Sequence, residues 1–257
     1  MSPTISFVYM SSATVLTQND RAVLGALFDP EASLSNGVPI TPNAPTSQDK
    51  VLSEIEAAEQ SAIKILNTAT PSEHDAHSAI VELTQIITDH PSYASAYANR
   101  AQALRLLPTA LGNPSIIKDI FTDLATAIRL ATPLTPLAPI STYDARVLAS
   151  AHTHRGYLLL RAASEPGFRN LLAGLELRSL HLPVTAADQL NPDTLEELAS
   201  KDFSVAGRHG NKTAQTLAVK TNPYAKLCGQ IVKEALQREI KEFYEGPSSA
   251  SEAGMAH

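Results

Sequence analysis

The chain has 257 residues, 44% of them hydrophobic and 18% charged, enough to bury a sizeable core in one large domain or two small ones. A formal charge of −6 leaves no broadly basic surface and excludes nucleic acid as a partner, and a single cysteine, Cys228, excludes an internal disulfide and points to a reducing compartment. No apolar run approaches the roughly 20 residues of a membrane span, and "MSPTISFVYMSSATVL" lacks the basic segment and apolar core of a signal peptide, so a cytoplasmic protein with no membrane partner is expected.

In chain order, "TQNDRAVLGALFDPEA" reads as a short helix. Asn19 is its N-cap, Val23, Leu24, Leu27 and Phe28 form its stripe, and Pro30 stops it. That stripe either packs back on the rest of the chain or is offered to a partner groove. A Pro/Ser/Asn-rich linker follows, so residues 1–50 form an N-terminal helix and linker. From Val51 the period is helical. "VLSEIEAAEQSAIKIL" puts Ile55, Ala58, Ala62, Ile63 and Leu66 on one face, and a second helix opens near Ser72 and closes before Pro91. "YASAYANRAQALRLL" is a third. A fourth is capped at Ser115 and carries Ile116, Ile120, Leu124 and Ile128. "TYDARVLASAHTHRGYLLLRAA" is a fifth, and a sixth ends at Gly207 or Gly210. The seventh has Asn222 as cap, Pro223 at its first position and Gly246 as its stop, and residues 246–257 read as a disordered tail. No stretch alternates with period two over a useful length, so the fold class is all-α.

The helices arrive in pairs, and the pairs repeat. "ANRAQALRLL" aligns with "THRGYLLLRA", matching Arg100 with Arg155, Ala101 with Gly156 and Leu104 with Leu159. The partner helices carry the trios Ala79/Leu83/Ile86, Ile120/Leu124/Ala127 and Ala199/Phe203/Ala206, each spaced four then three on one helix face. This pattern resembles the tetratricopeptide repeat, a helix–turn–helix unit of about 34 residues. The flanks "NDRAVLGALFDP", "ASAYANRAQALRLL", "KDFSVAGR" and "NPYAKLCGQIVKEAL" resemble, in that order, the tetratricopeptide repeat protein 36 family over residues 19–30, 51–131, 143–162 and 196–240. The resemblance implies a right-handed superhelix of three hairpins over residues 51–245, with insertions near 108–114, 132–142 and 164–193. A helix at 222–245 would cap it, with Leu227, Ile231, Ala235, Ile240 and Phe243 against the third repeat.

The same resemblance implies an adaptor without catalysis or cofactor, whose concave groove binds a protein or peptide partner, a chaperone of the Hsp70 type being the most concrete one. In many tetratricopeptide repeats that bind chaperone tails, five Lys, Asn and Arg side chains clamp a terminal carboxylate through charge-assisted hydrogen bonds. At the matching positions this chain keeps Lys64 and Asn99 but has Thr68, Ser150 and His154 at the other three. Lys64, Asn99 and His154 are therefore the candidate peptide-binding residues. Arg100, one position on, belongs to packing. The pairs His74/His77 and His152/His154 admit a metal-dependent regulator or small enzyme as an alternative, but no third ligand lies at metal spacing and no metal site is assigned. Cys228 sits in an apolar stripe and reads as a buried small hydrophobe. A further alternative is a scaffold whose groove is filled by its own insertion, because "FRNLLAGLELRSL" needs cover.

Overall fold

The computed structural model describes residues 40–41, 52–68, 70–134, 138–175, 180–182 and 190–245, all within a compact unit spanning Gly37–His257. The N-terminal helix with Asn19, Val23, Leu24, Leu27 and Phe28, and the tail 246–257, lie outside the described residues. Nine helices are described: α1 (Leu52–Lys64), α2 (Glu73–Asp89), α3 (Ala94–Leu106), α4 (Pro114–Ala131), α5 (Thr142–Ser164), α6 (Pro166–Ala173), α7 (Pro192–Arg208), α8 (Lys212–Thr221) and α9 (Pro223–Glu245). One two-residue parallel pairing joins β1 (Ile40–Thr41) to β2 (Ile140–Ser141), with Ile40 opposite Ile140. The protein is an all-α helical repeat.

Sequence signals explain where the helices begin. Ser72 accepts from the Asp75 amide and the Asp75 carboxylate accepts from the Ser72 amide, a reciprocal cap that opens α2. Asn113, not Ser115, caps α4, with Pro114 in the first turn, where its missing N–H costs nothing. Asn191 and Asn211 cap α7 and α8 in the same way. The turn between those two helices depends on Gly210, whose φ of +98° suits glycine. It allows the Gly210 amide to donate to Gly207 and the Asn211 amide to donate to Ala206, satisfying the last carbonyls of α7.

Hairpins form by α1 packing on α2, α3 on α4 and α5 on α7, with α2 against α3 and α4 against α5 between hairpins. All nine residues of the three aligned trios are buried, as a helix face in a stacked core requires. The arginine of the repeat alignment acts across each of the later two hairpins. Arg100 on α3 grips Asp123 on α4 with Nε at 2.8 Å and Nη2 at 2.7 Å, and Arg155 on α5 grips Asp202 on α7 with the same two distances. His152 Nδ1 adds a second contact to Asp202 at 2.7 Å. Burial alone would raise the Asp202 pKa, but the hydrogen bonds from Arg155 and His152 outweigh it and hold the carboxyl below its ordinary value. Gly156 follows Arg155 because the helices almost touch there. A Cβ on Gly156 would lie 2.8 Å from the fully buried Phe203 ring, which is itself held edge-on by Tyr157.

Besides the cap of α4, four expectations change. On α1 the buried face includes Glu59, while Ala58 is exposed, because Tyr93 and Asn99 of the next hairpin bond the Glu59 carboxylate. The segment "KTAQTLAVKT", which carries too few large apolar residues to show a period, is helix α8, and it covers the flank of α7. The following helix α9 packs sparsely, mainly on α8 and α7. Leu227, Ile231, Ala235, Ile240 and Phe243, expected against the third repeat, are exposed. Cys228, expected to be buried, is exposed on that same helix.

Replacing Asp202 by Ala leaves Arg155 buried without its partner, and should cost about 3–5 kcal/mol in urea denaturation at neutral pH. Because the folded carboxyl is more acidic than the unfolded one, the wild type keeps this contribution above its ordinary pKa and loses it only as the pH falls through the lowered value. Gly156→Ala should cost about 1–3 kcal/mol by overpacking against Phe203. Ile231→Ser on the exposed helix should change stability by less than about 0.5 kcal/mol.

Candidate functional site

Helix α5 is buried on the side that meets α4 and α7, and its opposite side is free. The residues left there, Arg146, Ser150, Thr153, Tyr157 and Arg161, recur at spacings of four and three, which makes one stripe along the helix. The stripe is the floor of an open concavity of about 830 Å³. Gln102 and Arg105 of α3 form one wall, and His209, Gly210 and Asn211, at the α7–α8 turn, form the other. The far wall is pinned in place, since Asn211 Nδ2 donates to Thr153 Oγ1 at 2.9 Å while its Oδ1 caps α8.

This groove is cationic. Among the described residues, Arg105 and Arg146 are exposed with no ion-pair partner, and no aspartate or glutamate lines the concavity. Arg161 lies 5.6 Å over the Phe168 ring and donates from Nε to Glu165 at 2.8 Å, a solvent-exposed pair worth a few tenths of a kcal/mol. His209 Nδ1 sits 2.8 Å from the Val205 carbonyl, so that nitrogen carries the proton and Nε2 is left as an acceptor. Burial lowers the His209 pKa despite that bond.

His154 is the unusual member. It is only 7% exposed, and neither ring nitrogen has a hydrogen-bond partner among the described residues. Its burial first, and the charge of Arg105 second, push its pKa down to about 3. The ring is therefore neutral at physiological pH, offering one N–H and one lone pair rather than a charge. An unsatisfied buried polar group of this kind costs about 1–3 kcal/mol.

A second, smaller concavity adjoins the first and shares Arg146 and Ser150 with it. Asn99 lies here, and its amide is engaged, donating to Glu59 Oε1 at 2.8 Å. Tyr93 donates to the other oxygen of Glu59 at 2.7 Å. Burial and the Glu59 charge raise the Tyr93 pKa well above its ordinary value, so the phenol stays protonated as that donor. Glu56 lines the same space, which makes this end acidic.

The structure thus separates the three candidate peptide-binding residues. His154 lines the large groove, Asn99 lines the small one, and exposed Lys64 ends α1 and lines neither. Arg105 and Arg146 were missed because each has an ordinary surface position in its own helix. The repeat spacing of polar residues along α5 was the signal that could have found Arg146. The histidine pairs diverge: His152 turns to Asp202, His154 turns to the groove, and His77 approaches only Glu73, at 3.8 Å. No group of three His, Cys, Asp or Glu able to hold a metal occurs among the described residues. The described part of the insertion is not in the groove. Phe168 and Leu172 of α6, with Leu180 and Leu182, are buried in the main core, and none of them lines the concavity.

The chain is 47% identical over 249 residues to the L-tyrosine degradation gene cluster protein hmgX of Aspergillus fumigatus, a match covering 88% of this chain and 94% of that protein. It is 25% identical to mouse tetratricopeptide repeat protein 36 and 28% identical to that of Xenopus tropicalis, with 86% of this chain covered in each match and 94% and 88% of those proteins. The chain belongs to one family with the hmgX protein, and its likeness to tetratricopeptide repeat protein 36 marks that family as tetratricopeptide-repeat-like. No protein-family model and no solved structure matches it. A helical repeat of this family is a protein-interaction module, and no described helix is long and apolar enough to cross a membrane.

A neutral buried His154 makes stability depend on pH. In the unfolded chain the residue takes up a proton near its ordinary pKa of about 6.5, whereas the folded ring resists until about 3. Its contribution is therefore whole above pH 6.5 and is lost as the pH falls toward 3, by roughly 2 kcal/mol between pH 6.5 and 5. Urea denaturation at pH 7.5 and pH 5 should show the difference shrinking by about that amount in His154→Leu. An unchanged difference would mean that the folded ring is protonated.

Proposed function

We propose that this protein is a non-catalytic adaptor that holds a peptide segment of a partner protein in the groove along α5. The observation that carries this reading is the pair of unpartnered arginines, Arg105 and Arg146, facing an open concavity whose walls are fixed by buried ion pairs and by the Asn211–Thr153 bond. Nothing in the arrangement supplies a nucleophile with its base. Similarity to a protein named for an L-tyrosine degradation gene cluster supports a partner that serves L-tyrosine breakdown, and we place the adaptor in the cytoplasm. A chaperone of the Hsp70 type, clamped by its terminal carboxylate, is less well supported, because Asn99 already donates to Glu59 in a space that Glu56 also lines, and Lys64 lines neither concavity.

The test is affinity capture from native extract with wild type and with Arg105→Glu/Arg146→Glu, followed by quantitative mass spectrometry. Proteins of tyrosine degradation should be enriched by the wild type and depleted at least tenfold with the variant. An identical captured set from both proteins would overturn the groove as the interaction surface, and a set dominated by chaperones would restore the chaperone reading.

A further inference from the structure

The adaptor reading leaves open what kind of segment the groove takes, and the distribution of charge along it answers that question. Three arginines face one side of the concavity. Arg146 and Arg161 are fifteen residues apart on α5, which at 1.5 Å per residue separates them by about 22 Å of helix, with Arg105 contributed from α3. A single terminal carboxylate meets one such site. A spread of about 22 Å matches some seven residues of extended chain at roughly 3.3 Å each. Among the described residues no acidic side chain lines the concavity to offset the arginines, and the carboxylate that engages one of them, Glu165, does so in a solvent-exposed pair with Arg161. Between the arginines lies His154, nine-tenths buried, with both ring nitrogens lacking a hydrogen-bond partner among the described residues. An extended segment carries what such a ring lacks, since each backbone amide brings one donor and one acceptor. The adjoining concavity has the opposite character, because Glu56 and the doubly hydrogen-bonded Glu59 repel an anion there.

Resting on the adaptor reading, we infer that the partner segment is an internal acidic run of about seven extended residues. Its aspartate and glutamate side chains pair with Arg105, Arg146 and Arg161, and its backbone serves His154. The anion-binding end of the groove is thereby displaced toward the third repeat, away from Lys64 and Asn99. Arg161 exchanges Glu165 for a carboxylate of the partner, at little cost because that pair is exposed.

The experiment uses the full chain and a fluorescently labelled, C-terminally amidated octapeptide of alternating glutamate and serine, read by anisotropy at about 50 and about 200 mM NaCl. Two control peptides are the same sequence with glutamine for glutamate, and a neutral octapeptide ending in a free carboxylate. The glutamate peptide should bind, weaken at the higher salt, and lose at least tenfold in affinity to Arg105→Glu and to Arg146→Glu. Lys64→Ala should leave its affinity unchanged. Both arginines are exposed and unpaired among the described residues, so these variants should melt with the wild type, and that is checked alongside. Equal binding of the glutamine peptide, preferential binding of the free-carboxylate peptide with loss in Lys64→Ala, or no binding of the glutamate peptide would each overturn the acidic-run assignment. If the glutamate peptide fails while the doubly charge-reversed protein still loses its captured partner from extract, the adaptor reading stands and this inference alone falls.

Discussion

The architecture turns on an arginine that crosses from one helix of a hairpin to an aspartate on the other. Arg155 and Asp202 are both buried, and their fork of two hydrogen bonds fixes rotation as well as distance between α5 and α7. Arg100 and Asp123 do the same one hairpin earlier, where the Arg100 guanidinium also reaches Thr84 on α2 and so ties successive hairpins together. A buried ion pair contributes modest net stability against an apolar substitute, since both ions lose their water. Its consequence is specificity, because an unpaired buried charge excludes any slipped arrangement of the two helices. The first hairpin has Ile65 and Glu82 at the corresponding positions and is joined by apolar contacts instead.

That pairing decides which side of α5 remains for function. With Arg155 and Gly156 turned to α7, and Ala151 and Leu158 in the core, the residues one hundred degrees or more away must face outward. Gly156 lets the Phe203 ring approach so closely that the helix cannot rotate about its own axis without collision. The stripe from Arg146 to Arg161 is held to the same precision as the core beneath it. The α7–α8 turn, clamped by Gly210 and by the Asn211–Thr153 bond, then gives the stripe a wall.

Two neighbouring concavities that share α3 and α5 differ in their charged lining. Glu59 is buried and accepts from two neutral donors, Tyr93 and Asn99, with Glu56 lining the same space. In the larger groove Arg105 and Arg146 have no carboxylate partner among the described residues, and the histidine beside them is kept neutral by burial and by Arg105. A ligand experiences this as polarity along the concave face, which steers both approach and orientation.

Much of this was legible in the chain itself. Helical period, asparagine and serine caps, the apolar trios spaced four then three and the Arg100/Arg155 alignment are local or repeat-length signals, and they specify an all-α repeat because each reports on the face a helix must bury. Helix α8 escaped because "KTAQTLAVKT" buries mainly Ala214 and Thr221, too little apolar surface to show a period. The apolar stripe of α9 was read correctly as a stripe, but periodicity says that a face is apolar and not what, if anything, lies against it. For the site, the sequence alone placed His154 and Asn99 on the side of their helices opposite the packing residues. Only the tertiary structure could decide that Asn99 is spent on Glu59, that His154 is buried and unpartnered, and that Arg105 and Arg146, forty-one residues apart, face one space. Contacts between helices far apart in sequence set those outcomes, through burial and electrostatic neighbours that no single helix contains.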